Sequence, residues 1–142
     1  MRKYIYIAVG GVLGSILRFF IRSININSSS WDFPLNTFII NITGTFILAF
    51  VITVALEVLE FDADLRLGMT TGFLGAYTTF STLCKETAIL IGKGSYYSAI
   101  SYISFSVLIG LAAVYLGIAA ARELITKLEK HKNNKNFESE VE

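Results

Sequence analysis

Long runs without a charged side chain dominate this sequence and limit what it can fold into. Four such runs are separated by short charged segments, and they cover residues 4–17, 33–56, 67–84 and 94–121. A helix needs about 20 mostly apolar residues to cross the hydrocarbon core of a bilayer. The second and fourth runs reach that length directly. The third reaches it by continuing through Lys85 and Glu86 to Gly92, and the first reaches it with Arg18 near its end. The pattern predicts four transmembrane helices.

The composition excludes a soluble domain. Hydrophobic residues make up 54% of the 142 residues and charged residues only 16%, and ten of the 23 charged residues lie after Ala121. The preceding part lacks the polar surface that contact with water requires. The net charge of +1 provides no basic field for nucleic acid. The single Cys84 excludes a disulfide framework and a cysteine-rich zinc site, and no motif assembles a catalytic nucleophile, base and orienting group, so an enzyme is not predicted.

The distribution of charge divides the chain into a membrane domain, residues 1–121, and a charged tail, residues 122–142. The tail is predicted to begin as a helical extension and to become disordered from Asn133, on whichever side of the membrane it lies, cytoplasmic or extracellular. Four crossings place both termini on one side. Eight of the 12 Lys and Arg residues lie on that side, but five of the eight belong to the tail. The positive-inside rule therefore specifies the orientation only weakly.

The third run contains residues that weaken a helix near the middle of the membrane. Gly75-Ala76-Tyr77-Thr78-Thr79-Phe80-Ser81-Thr82 combines glycine, β-branched and hydroxyl side chains where leucines are expected. Hydroxyl groups compete for backbone partners, and glycine loosens the chain. A broken helix at this depth must be buried in protein or line a cavity. Its free carbonyls can hold a cation, and its free N–H groups and hydroxyls can bind an anion. A continuous, hydroxyl-rich helix is the alternative.

Other polar side chains also face the interior of the predicted bundle. Thr37, Asn41 and Thr45 follow one another at intervals of four and share a face of the second helix. The Asn41 amide either joins helices by hydrogen bonds or lines a wet path and donates to an anion. Tyr102 and Ser106 share a face of the fourth helix. Glu86 is either a helix-end charge or part of the path.

Small residues predict close contacts between helices. The small-xxx-small pairs are Gly10 with Gly14 and Gly68 with Gly72, and the fourth helix carries a face of Gly110, Ala113 and Gly117.

Together these residues resemble the CrcB/Fluc fluoride channel family. The matches are Gly10-Gly11-x2-Gly14-x3-Arg18, Asn36-Thr37-x3-Asn41-x2-Gly44-x-Phe46, and Gly72-Phe73-x-Gly75-x2-Thr78-Thr79-Phe80-Ser81-Thr82 followed by Glu86. The resemblance covers about residues 1–121. It implies an all-α membrane protein with four transmembrane helices, the third broken mid-membrane, in an antiparallel dimer of dual topology. It further implies passive export of toxic fluoride across a prokaryotic inner membrane.

The resemblance also implies roles for individual residues. Asn41 would donate to fluoride and Phe80 would present its ring edge, while Arg18 would lie at the pore entrance. The rest of the fluoride pathway would be formed by Thr37, Ser81, Thr82, Tyr102 and Glu86, with Ser106 a weaker candidate. The backbone carbonyls of Gly75 and Thr78 would hold a structural sodium ion. No organic cofactor is implied, and the partners would be fluoride, lipid and a second subunit.

Leu83 departs from the family pattern, which usually has a second phenylalanine three residues after Phe80. The missing ring would remove one of two edge-on contacts to the anion. Either this chain forms a homodimer with altered conduction, or it is a non-conducting or partner-dependent subunit of a heterodimer. A small proton-coupled multidrug exporter is the other transport class to consider. It needs a carboxylate in the first helix, and residues 4–17 contain none.

Overall fold

The computed structural model describes residues 1–24, 33–57 and 62–141, with side chains described as far as Lys130. This part of the chain is all-helical. The α-helices are α1 (Arg2–Ser23), α2 (Leu35–Glu57), α3 (Ala63–Leu67), α4 (Gly75–Tyr77), α5 (Phe80–Gly92) and α6 (Tyr96–Val141), and a π-helix (Gly68–Leu74) joins α3 to α4. Residues 63–92 therefore form one discontinuous segment, called the broken segment below.

Three helices in the described part of the chain are long and apolar enough to cross a membrane: α1, α2 and the Tyr96–Lys130 portion of α6. The broken segment is interrupted where the sequence predicts. Thr78 and Thr79 have extended backbone, with ψ of 158° and 113°, and α5 begins directly after them. The prediction of a continuous hydroxyl-rich helix is wrong, and the prediction of a break is confirmed.

The α1 helix contacts the π-helix through glycines on both sides. Gly10 and Gly14 lie on α1, and Gly68 and Gly72 lie on the π-helix. A Cβ atom on any of these four glycines would come too close to the opposite helix to fit. The predicted small-xxx-small contact is confirmed, and it brings two backbones together. The π-helical winding itself was not predicted.

The α6 helix packs along α2, and Gly117 makes the closest approach. A Cβ atom at Gly117 would lie 2.6 Å from the backbone oxygen of Phe46. Ala113 is buried on the same face, whereas Gly110 leaves ordinary space beside Ile42. The predicted small-residue face of the fourth helix is thus the α2 contact, and it is tightest at its C-terminal end.

The tail differs from the sequence prediction in its backbone. Disorder is predicted from Asn133, whereas α6 continues as a helix to Val141. A tail rich in Lys and Glu has good helix formers, and it extends a helix that is already nucleated. Ala121 and, within the tail, Ile125 are buried, so the first turn of the tail still packs within the bundle. The partition at residue 121 stays a prediction.

Candidate functional site

One side chain of α2 holds the break between α4 and α5. The Asn41 Nδ2 group donates to the Thr79 carbonyl at 3.1 Å, and Asn41 Oδ1 accepts from the Thr79 N–H at 2.8 Å. A single amide thereby satisfies both backbone groups of an extended residue. Asn41 does join two helices, as one of the hypotheses states. Its Nδ2 carries a second hydrogen, for which no acceptor is described among the residues of the structure.

The backbone carbonyls of Gly75 and Thr78 lose the donors that a regular helix would supply. In a continuous helix, the N–H groups of Thr79 and Thr82 would donate to them. Here Thr79 N–H donates to Asn41, and Thr82 N–H donates to the Thr79 hydroxyl at 3.2 Å. The carbonyls of Gly75 and Thr78, which the resemblance assigns to sodium, are therefore among those that lose their helical donors at the break. Such oxygens are the ligands that hard cations prefer.

Thr79 also caps the N-terminus of α5. Its Oγ1 accepts from the Thr82 N–H and lies 2.9 Å from Thr82 Oγ1 and 3.4 Å from Ser81 Oγ. Phe80 begins the helix and is 78% exposed, and Ser81 is exposed beside it. This helix end thus presents the Phe80 ring and the Ser81 hydroxyl to the outside of the helical bundle, at the positive end of the helix dipole.

Glu86 lies where α1, α2, α5 and α6 meet. Its Oε1 accepts from the Thr37 hydroxyl and its Oε2 from the Tyr102 hydroxyl, both at 2.9 Å. Arg22 Nη2 lies 3.8 Å from Oε1. Thr37 and Tyr102 are almost completely buried, and the Glu86 side chain is only 20% exposed. Glu86 is therefore bonded inside the bundle and is not a solvated helix-end charge.

An open cavity of about 420 Å³ lies between α1 and the start of α5. Two guanidinium groups and several hydroxyls dominate its wall, and no carboxylate is among its lining residues. These are Ser15, Arg18, Phe19, Arg22, Thr79, Ser81 and Thr82. The structure therefore brings the predicted entrance residue Arg18 together with the predicted pathway residues Ser81 and Thr82, in surroundings suited to an anion.

Two of the polar residues examined in the sequence bond within their own helices. Thr45 donates to the Asn41 carbonyl and Ser106 to the Tyr102 carbonyl, both at 2.7 Å. Leu83 packs against the buried cluster that contains Leu90 and Tyr102, so this side chain faces the interior of the bundle. Phe80, one turn earlier, is exposed.

Three residues of the site were not predicted as such. Thr79 enters the sequence prediction only as part of the hydroxyl-rich run, although a threonine just before a helix is a common N-cap. Arg22 is not among the predicted pathway residues, although it follows Arg18 by one turn. Asn36 belongs to the motif of the second helix but has no predicted role, and its side chain donates to the carbonyls of Arg22 and Ile24 at 3.2 and 2.8 Å.

Comparison with known proteins shows the family of the chain. The family described as CrcB-like protein, Camphor Resistance (CrcB), matches residues 5–118. The chain belongs to the CrcB family. A fluoride-specific ion channel FluC of Ignicoccus hospitalis is 38% identical over 125 residues, covering 88% of this chain and 99% of the relative. The FluC 1 channel of Moorella thermoacetica is 42% identical over 119 residues, covering 84% of this chain and 85% of the relative.

Membership of the CrcB family confirms the resemblance and the membrane assignment. A third relative, the fluoride-specific ion channel FluC of Hydrogenobaculum sp., is 41% identical over 115 residues, which is 81% of this chain. These relatives are named as ion channels and not as enzymes. With its apolar helices, this CrcB chain is a multi-pass membrane protein.

Proposed function

We propose that this CrcB chain forms a fluoride-selective channel that exports the anion by passive permeation. The observation that carries the proposal is the set of amide and hydroxyl donors on α2, α5 and α6, which lie at the break and around Glu86. The named function of the relatives supports the choice of fluoride.

Fluoride is small and strongly hydrated, so a pore must replace its water with close donors and deny space to larger anions. The second N–H of the Asn41 amide would donate to fluoride, since the Thr79 carbonyl accepts from only one of the two. Thr37, Ser81, Thr82 and Tyr102 add hydroxyls. Phe80 adds a ring edge, whose weakly positive potential attracts an anion without trapping it as a fixed charge would. Arg18 would gather the anion at the entrance.

We propose that a structural sodium ion binds the backbone carbonyl groups at the break. Gly75 and Thr78 offer two backbone oxygens whose helical donors are diverted to Asn41 and Thr79, and carbonyl oxygens suit a hard monovalent cation. When bound, the ion would supply positive potential beside the anion path. The residues of this chain hold the break open for it, because Asn41 fixes Thr79 and Thr79 caps α5.

We propose that the functional unit is an antiparallel dimer of dual topology. Gly75 and Phe80 lie at the break and are exposed, so a second subunit could cover this edge and share the ion sites. The weak orientation bias of the Lys and Arg residues supports insertion in both directions. A heterodimeric or non-conducting subunit is the second candidate, because Leu83 packs inside the subunit and supplies no ring.

The test is fluoride efflux from liposomes that contain this protein alone, followed with a fluoride electrode and with chloride as the control anion. We expect fast fluoride loss and retained chloride. Asn41→Asp keeps the acceptor for Thr79 N–H and removes both amide N–H groups, the one bonded to the Thr79 carbonyl and the one proposed for fluoride. We expect flux to fall by roughly 100-fold. Size-exclusion chromatography should show unchanged assembly.

Thr45→Val is the matched control, because Thr45 lies one turn from Asn41 and bonds only within α2. Its flux should match that of the unmodified protein. Absence of flux from a folded, dimeric preparation would overturn the self-sufficient channel and direct the search to a partner subunit. Equal fluoride and chloride flux would overturn the selectivity.

A further inference from the structure

The proposed pathway contains a charge that opposes its function. Glu86 places a carboxylate beside Thr37 and Tyr102, and both hydroxyls donate to it. A carboxylate is only an acceptor, so it offers nothing to fluoride and repels it. While the two hydroxyls point at Glu86, their hydrogens are also turned away from a passing anion. A channel built in this way needs something that offsets the Glu86 charge.

Arg22 is placed to provide that offset. Its Nη2 lies 3.8 Å from Glu86 Oε1, and it is the cation paired with this carboxylate among the described residues. The Arg22 side chain is half exposed and lines the cavity that also contains Arg18. A guanidinium therefore stands between the anion-gathering cavity and the carboxylate inside the bundle. The comparisons and the family resemblance assign no role to Arg22.

Asn36 fixes the backbone from which Arg22 extends. Its Nδ2 donates to the Arg22 carbonyl at 3.2 Å and to the Ile24 carbonyl at 2.8 Å. These carbonyls lie at the C-terminal end of α1, where regular helical donors are lacking. The start of α2 thereby holds the end of α1, and the Arg22 stem is restrained relative to Glu86.

We infer that Arg22 is a positioning residue that neutralises Glu86 and so sets the rate of fluoride conduction. With the carboxylate balanced by Arg22, the hydroxyls of Thr37 and Tyr102 can turn from Glu86 to the anion at little electrostatic cost. The inference rests on the proposed function, since it concerns the same pathway. It adds a charge pair that tunes that pathway.

The experiment is a double-mutant cycle in the liposome efflux assay. Arg22→Gln should slow fluoride efflux by about tenfold, because the Glu86 charge is then uncompensated. In the Glu86→Gln background the same change should alter the rate by less than about twofold. Arg22→Lys keeps the charge and should retain most of the flux. A purely structural role of Arg22 would not be rescued by removing the charge of Glu86.

Arg122→Gln is the matched control, because Arg122 also forms one ion pair, with Glu57, at the opposite end of α2. It should leave the rate unchanged. Equal effects of Arg22→Gln in both backgrounds would overturn the inference, as would a Glu86→Gln variant without flux. An unmodified protein without fluoride flux would instead overturn the proposed function, and this inference with it.

Discussion

The two halves of the broken segment are held in place by different means. The first half, from Ala63 to Tyr77, lies against α1 with glycine on both sides, so that backbone touches backbone. The second half, α5, is fixed by directed hydrogen bonds from side chains of α2 and α6 to Thr79 and Glu86. One half depends on the absence of side chains and the other on their chemistry.

This difference teaches where the molecule tolerates change. An added methyl group at Gly68 or Gly72 in the first half has no space, because it would meet atoms of Tyr6 or Ile7 on α1. A change of the same size in the second half can be accommodated, provided that each donor keeps its acceptor. We therefore expect shape changes to abolish folding in the first half and chemical changes to reduce conduction in the second.

The largest effect should come from Gly14→Val. The new side chain would collide with the Phe73 carbonyl, and overpacking of this kind costs about 1–3 kcal/mol or more. We expect little or no monodisperse protein in detergent by size-exclusion chromatography. Gly92→Ala is the matched control, because a Cβ atom there meets nothing within 4 Å. A well-folded Gly14→Val protein would remove the distinction between the two halves.

Sodium removal should have the next largest effect, since the proposed ion lies at the junction of the halves. Exchange of Na⁺ for N-methylglucamine at equal ionic strength should lower the unfolding temperature of the unmodified protein. A site filled to 100 times its dissociation constant contributes about 2.7 kcal/mol. Differential scanning fluorimetry in both buffers measures the shift. Identical unfolding temperatures across a wide range of Na⁺ concentration would contradict the sodium site.

Tyr102→Phe should have the smallest effect on stability and a clear effect on conduction. It removes one hydroxyl donor to Glu86 from a fully buried ring, and we expect a loss of about 1–1.5 kcal/mol in unfolding free energy. Fluoride efflux should fall by about tenfold. Tyr97→Phe is the control, because Tyr97 is 93% exposed. Loss of stability with unchanged efflux would assign Tyr102 a structural role only.

Much of this architecture follows from local sequence properties. The uncharged runs predict the four helical segments, the glycine spacings predict the close contacts, and the residue types near position 78 predict the break. Each of these signals lies within one segment of the chain. Thr78 and Thr79, for example, favour a break because their hydroxyls and β-branching act within their own segment.

The features that the sequence does not predict depend on contacts between segments that are distant in the chain. Asn36 bonds to Arg22 and Ile24, and Arg22 pairs with Glu86. Loops or whole helices separate these residues in the chain, so the spacing of residues in the sequence does not predict the contacts. The π-helix between Gly68 and Leu74 likewise lies in the tight contact with α1, and its winding differs from a regular helix by a small change that local propensity does not resolve. Leu83 differs from these residues, because the sequence alone shows that it departs from the family pattern. Its inward packing is visible only in the structure.

The pairing of Asn41 with Thr79 also constrains the order in which this protein matures. Before α2 docks, the peptide groups at the break have no amide to replace their helical partners, and lipid offers none. An isolated broken segment in the bilayer therefore favours a continuous helix. The interruption, with the carbonyl and hydroxyl groups that it exposes, is acquired only when the segments assemble, so a chain that has inserted but whose helices have not yet docked lacks the proposed ion sites.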